Sequence, residues 1–99
     1  MTGSELAARF WEQTAEDGIE LDDFLRRLQA GQYPYGPATP AVVQQFLDIV
    51  YQEMVRNLET KLEEMPAWQV ERDDALEFLR LHFEALRRQY APGPPHSGP

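Results

Sequence analysis

Apolar residues recur at helical spacing through two long segments of this chain, residues 40–65 and 69–90. Positions three and four apart lie on the same side of a helix, so this spacing predicts two amphipathic helices. Thr39 and Pro40 mark the start of the first one, since threonine caps a helix and proline loses no hydrogen bond at the first helical position. Pro66 marks its end, because the residue before a proline is driven out of the α conformation. We therefore predict a long antiparallel helical hairpin.

The second long segment carries apolar residues on two sides. One series has the three-and-four spacing of a coiled-coil seam and comprises Leu76, Leu79, Phe83, Leu86 and Tyr90. A second series, on another face, comprises Phe78, Leu81 and Ala85. A single neighbouring helix covers only one of these faces. The second series therefore predicts a further contact, either with the rest of this chain or with another molecule.

Two shorter helical patterns precede the hairpin. Ser4 is predicted to cap the first, over residues 4–16, and Gly18 to close it in the left-handed conformation. The second, over residues 20–30, has its acids near the amino end and its arginines near the carboxyl end, as the helix dipole favours. Gly31 ends it. Both short helices are expected to pack on the hairpin.

The predicted fold class is therefore all-α, a small four-helix domain over residues 1–90. The chain has 99 residues, of which 42% are hydrophobic, which suits one modest core. Residues 91–99 are dominated by proline and glycine, and we expect them to form a disordered tail.

Aromatic residues in the connections have two possible roles. Tyr33 and Tyr35 flank a proline between the second and third helices, and Trp68 lies in the connection of the hairpin. Such rings either close the end of a core or remain exposed, and exposed aromatic residues are enriched at interfaces. These three are candidate contact residues. Rings at helical spacing, Trp11 among them, are expected in the core instead.

The formal net charge of −8 is concentrated in residues 1–25, where Arg9 is the only base. The candidate interaction residues in this acidic segment are Glu16, Asp17, Glu20, Asp22 and Asp23. Acidic surfaces repel phosphate, so we expect neither direct nucleic-acid binding nor association with an anionic membrane. Such a segment is usually a solvated face. Alternatively, it docks on a basic partner or imitates nucleic-acid phosphates.

The chain contains no cysteine, which excludes disulfides, thiolate nucleophiles and sulfur-ligated zinc. No apolar run approaches the roughly 18 residues that a membrane helix requires. The first residues lack the basic flank and apolar stretch of a signal peptide. A cytoplasmic location is expected.

The sequence contains no clear motif for catalysis or for metal binding. Metal sites in helical bundles typically take Glu-x-x-His ligands, but neither His82 nor His96 has a glutamate three residues earlier. His82 beside the seam is interpreted as a boundary residue. Adjacent acids such as Asp73 and Asp74 point about 100° apart on a helix and do not converge as an acid–base pair. We expect no cofactor, no metal and no enzymatic activity.

The surplus of apolar surface decides the functional expectation. We expect a non-catalytic interaction module, such as an adaptor, regulator or assembly factor. It would form a homodimer through Phe78, Leu81 and Ala85, or dock on another protein. Two alternatives remain open. One is an acidic inhibitor or nucleic-acid mimic that occupies a basic groove on a target, and the other is a protein that binds an apolar ligand in a helical cavity.

Overall fold

The computed structural model describes residues 2–34 and 39–91, and within these ranges the chain is helical without strands. The elements in chain order are α1 (Gly3–Asp17), α2 (Leu21–Gln29), α3 (Pro40–Glu64), a 3-10 helix (Pro66–Glu71) and α4 (Arg72–Tyr90). The predicted all-α class with four α-helices is confirmed.

Helix α1 is capped by Thr2, and the prediction of Ser4 as the cap was wrong. The Glu5 backbone N–H donates to Thr2 Oγ1 at 3.1 Å, and the Thr2 backbone N–H donates to Glu5 Oε1 at 3.3 Å. This reciprocal capping box needs an acid or amide three residues after the cap, and Ser4 has Ala7 there. At the other end, Gly18 adopts the left-handed conformation, with φ of 66°, as predicted.

The connection of the hairpin is more ordered than the sequence suggested. Met65 leaves the α conformation before Pro66, as predicted, with φ −127° and ψ 77°. The chain then winds into the 3-10 helix, so that α4 begins at Arg72. Within this connection Gln69 Nε2 donates to the Leu62 carbonyl at 3.3 Å. That bond satisfies one of the carbonyls that the end of α3 leaves without an intrahelical partner.

Two ion pairs join α3 to α4 along the hairpin. Asp48, early in α3, pairs with Arg87, late in α4. Glu59, late in α3, pairs with Arg72 at the start of α4, with 3.5 Å between the charged atoms. Residue numbers therefore increase along α3 in the direction in which they decrease along α4, so the two helices run antiparallel.

The hydrophobic core lies at the end of the hairpin where α3 begins and α4 ends. Phe10 of α1, Phe24 of α2 and Phe46 of α3 meet there with ring centroids 5.2–5.8 Å apart. The hairpin contributes the buried residues Val43, Phe46, Leu47, Val50, Phe83, Leu86, Tyr90 and Ala91. Leu62, near the far end of α3, is also buried but is not part of this core. The two short helices therefore cover one end of the hairpin.

Helix α1 approaches α3 closely at Gly3. The Gly3 backbone N–H donates to Gln45 Oε1 at 3.3 Å. A Cβ atom at this position would lie 2.8 Å from the backbone nitrogen of Phe46 and would also overlap the Gln45 side chain. Only glycine therefore fits the first position of α1 at this separation of the two helices.

Ala91 belongs to the core, although the sequence analysis assigned it to the tail. It is buried, and its backbone N–H donates to the Arg87 carbonyl at 2.9 Å, which continues the bonding pattern of α4. Proline and glycine begin only at the following residue, so composition placed this boundary one residue early. Residues 92–99 lie outside the described residues, and the predicted disorder there stays a prediction.

Candidate interaction surface

Helix α4 has two apolar faces, and the residues that the structure describes cover only one of them. Phe83 and Leu86 face α3 and the core, and both are buried. Phe78 is 74% exposed, Leu81 is 50% exposed, and Ala85 is also exposed. At about 100° per residue, these last three centre roughly 140° around the helix from the buried series. We call Phe78, Leu81 and Ala85 the α4 stripe.

His82 lies at the edge of the α4 stripe. Its ring is parallel to that of Phe78, with centroids 6.4 Å apart and an interplanar angle of 3°. Its Nε2 lies 3.9 Å from Asp22 Oδ1 of α2, which is longer than a hydrogen bond. His82 thus extends the ring surface of Phe78 and connects the stripe to the acidic segment. This placement agrees with its interpretation as a boundary residue.

The charged residues beside the stripe fall into two groups. Arg80 pairs with both Glu77 and Glu84 on its own helix. The hydrogen bond to Glu77 and the negative charges of Glu77 and Glu84 raise the pKa of Arg80. Asp74 and Arg88, by contrast, are exposed and have no ion-pair partner among the described residues. One lies at each end of the stripe, with the acid before it and the base after it.

Of the three aromatic residues predicted as contacts, Tyr33 is the one whose side chain the structure describes. Tyr33 is half-buried, and its ring lies 5.2 Å from that of Phe24, so it closes the core beside α2. Tyr35 and the side chain of Trp68 lie outside the described residues. Their role as contacts stays a prediction.

The acidic residues lie around the turn between α1 and α2. Glu16, Asp17, Glu20 and Asp22 are exposed there, whereas Asp23 is half-buried and pairs with Arg26. Among the described residues, no group of three or more histidine and acidic side chains is arranged to hold a metal ion. The acidic segment approaches the edge of the α4 stripe where Asp22 lies beside His82.

Trp11 was expected in the core but lies at its edge. It is half-buried and lines an open groove of about 340 Å³ together with Met54, Asn57, Leu58 and Lys61. The groove is open to solvent, unlike the enclosed cavity that the ligand-binding alternative assumes.

Two further apolar residues are exposed near the connection of the hairpin. Met65 ends the apolar series of the first long segment and is 45% exposed, because α3 ends one residue before it. Val70 of the 3-10 helix is 88% exposed and belongs to no helical series, so no periodic pattern identified it.

No protein-family model, no curated protein and no solved structure matches this chain. Within residues 2–34 and 39–91, no helix is long and apolar enough to cross a membrane.

Proposed function

We propose that this protein is a non-catalytic interaction module that self-associates through the α4 stripe. One observation carries the proposal. Phe78 and Leu81 are large apolar side chains, and both are exposed on one face of a helix whose other apolar face is buried. Single exposed apolar residues are common on protein surfaces, but a group of them on one face is typical of a contact surface.

A second copy of the chain is the partner that this surface supports best. Most soluble oligomers are symmetric, and a two-fold dimer buries the same surface on both subunits. The stripe offers apolar residues of different sizes, which can pack against one another across such an axis. It is much smaller than the roughly 800 Å² per partner of a standard interface, so we expect a weak dimer that dissociates on dilution.

The first test is the molar mass in solution, measured by light scattering over a wide concentration range at two salt concentrations. We expect the mass to rise with concentration from the monomer value of 11.4 kDa toward twice that value. The rise should persist at high salt, because apolar contacts are not screened as surface charges are. A monomer mass at every concentration would contradict self-association.

The second test uses charged substitutions within the stripe. Leu81→Asp and Phe78→Asp should each give a folded monomer, because a carboxylate cannot be buried in an apolar interface without a partner. Circular dichroism should show the wild-type helical signal in both variants, while light scattering shows the monomer mass at all concentrations.

Val70→Asp is the matched control. It introduces the same charge at an apolar residue that is 88% exposed but lies outside the stripe, so the dimer should be retained. A monomeric Val70→Asp variant would show that the effect is not specific to the stripe. Loss of the helical signal in Leu81→Asp would instead assign the stripe to the folded core of one chain.

A further inference from the structure

The charges at the two ends of the α4 stripe indicate how two copies meet. We infer that two α4 helices pack antiparallel about a two-fold axis at Leu81, with Asp74 of each copy facing Arg88 of the other. This inference rests on the proposed self-association. The partner is thus a second copy of this chain in one defined orientation.

The spacing along α4 supports this arrangement. Asp74 lies seven residues before Leu81 and Arg88 lies seven residues after it. At 1.5 Å per residue, each is about 10.5 Å from Leu81 along the helix axis. A two-fold axis perpendicular to the helix at Leu81 therefore brings Asp74 of one copy level with Arg88 of the other.

The angular positions agree with the spacing. Fourteen residues turn a helix by about 1,400°, which leaves Asp74 and Arg88 only about 40° apart around α4. Both lie on the side of the stripe that carries Leu81. The two-fold axis lies in the plane of the interface and is perpendicular to both helices. Rotation about it places each side of the stripe next to the same side of the partner's stripe. The acid and the base then meet at both ends of the interface.

The opposite orientation places like charges together. In a parallel pair, Asp74 would lie beside Asp74 of the second copy, and Arg88 beside Arg88. Complementary charges set the orientation of a complex, and like charges in register oppose it. The antiparallel pair also places the opposite ends of the two helix dipoles side by side.

The apolar residues fit the same axis. With the axis at Leu81, the Phe78 ring of one copy lies level with residues 84 and 85 of the other. Ala85 leaves space there for a large ring, and large side chains opposite small ones pack without overlap. Leu81 then lies against Leu81 of the second copy at the centre.

The charges needed for this contact are available. Asp74 and Arg88 have no ion-pair partner among the described residues, whereas Arg80 already holds Glu77 and Glu84 on its own helix. Exposed ion pairs add little affinity, so they select the orientation while the apolar stripe supplies the attraction.

Disulfide cross-linking tests the orientation directly, because these 99 residues contain no cysteine. Asp74→Cys and Arg88→Cys variants of the 99-residue chain are mixed in equal amounts, oxidised and separated by mass. We expect the mixed disulfide to exceed either homodisulfide at least five-fold, since only the antiparallel pair brings residues 74 and 88 within the roughly 4.4–6.8 Å between Cα atoms that a disulfide spans. Homodisulfides in excess, or no difference between the products, would overturn the inference.

Charge exchange gives an independent test. Asp74→Arg replaces both ion pairs of the two-fold dimer with Arg–Arg contacts, so it should raise the dimer dissociation constant roughly ten-fold. The exchanged variant Asp74→Arg/Arg88→Asp should restore the constant to within about two-fold. No restoration would contradict the pairing. The mass measurement separates the two proposals: a monomer at all concentrations refutes self-association, whereas a dimer that gives homodisulfides refutes only the antiparallel orientation.

Discussion

The two faces of α4 show how the same residue type comes to have opposite roles in one helix. Phe83 and Phe78 are five residues apart, but Phe83 is 1% exposed and Phe78 is 74% exposed. Phe83 packs against Tyr51 of α3, with ring centroids 5.2 Å apart, while the ring that Phe78 meets among the described residues is that of His82 on its own helix. Periodicity identifies both faces as apolar. The position of the neighbouring helices decides which one becomes core.

The largest expected effect comes from the covered face. Phe83→Ala should lower the free energy of unfolding by about 3–5 kcal/mol, because it removes a buried ring and leaves a cavity. Urea denaturation followed by circular dichroism measures this loss. A loss below about 1 kcal/mol would mean that Phe83 is not part of a well-packed core.

A smaller effect on the free energy of unfolding is expected at Gly3, where α1 packs on α3. Gly3→Ala should cost about 1–3 kcal/mol of unfolding free energy, because the added methyl group forces α1 away from α3. Ser4→Ala is the matched control, since Ser4 is an exposed neighbour in the same turn and does not cap the helix. The same denaturation experiment applies. An equal loss in both variants would contradict the close approach at Gly3.

The smallest effect on folding is expected on the uncovered face. Phe78→Ala should change the unfolding free energy by no more than about 0.5 kcal/mol, because an exposed side chain is nearly as exposed in the unfolded chain. The comparison with Phe83→Ala is made at a protein concentration low enough to exclude dimers. A larger loss for Phe78→Ala than for Phe83→Ala would reverse the assignment of the two faces.

The fold class and most helix ends were predictable because they depend on local chemistry. Thr39 and Pro40 at the start of α3, Pro66 after it and Gly18 after α1 each act through neighbouring backbone groups. Ser4 failed as a cap because capping also depends on the residue three positions later. The 3-10 helix was not predicted, because a segment of six residues is too short to show an apolar repeat.

The candidate surface was predicted only in part. Helical spacing identified the α4 stripe as a separate face, but its exposure depends on where α2 and α3 pack. The availability of Asp74 and Arg88 also required the structure, which gives neither of them an ion-pair partner among the described residues. The acidic segment between α1 and α2 stays a prediction, since exposure alone selects no partner for it.

The placement of the core at one end of the hairpin makes local opening unequal along the molecule. Short of global unfolding, segments with few buried contacts open at lower free energy than the rest. The 3-10 helix and the adjoining ends of α3 and α4 lie outside the aromatic core, so the tip of the hairpin can fray and re-form while that core stays intact. Leu81 and Ala85 lie in the half of α4 that the core anchors. The positions of Leu81 and Ala85 should therefore not change when the tip of the hairpin opens.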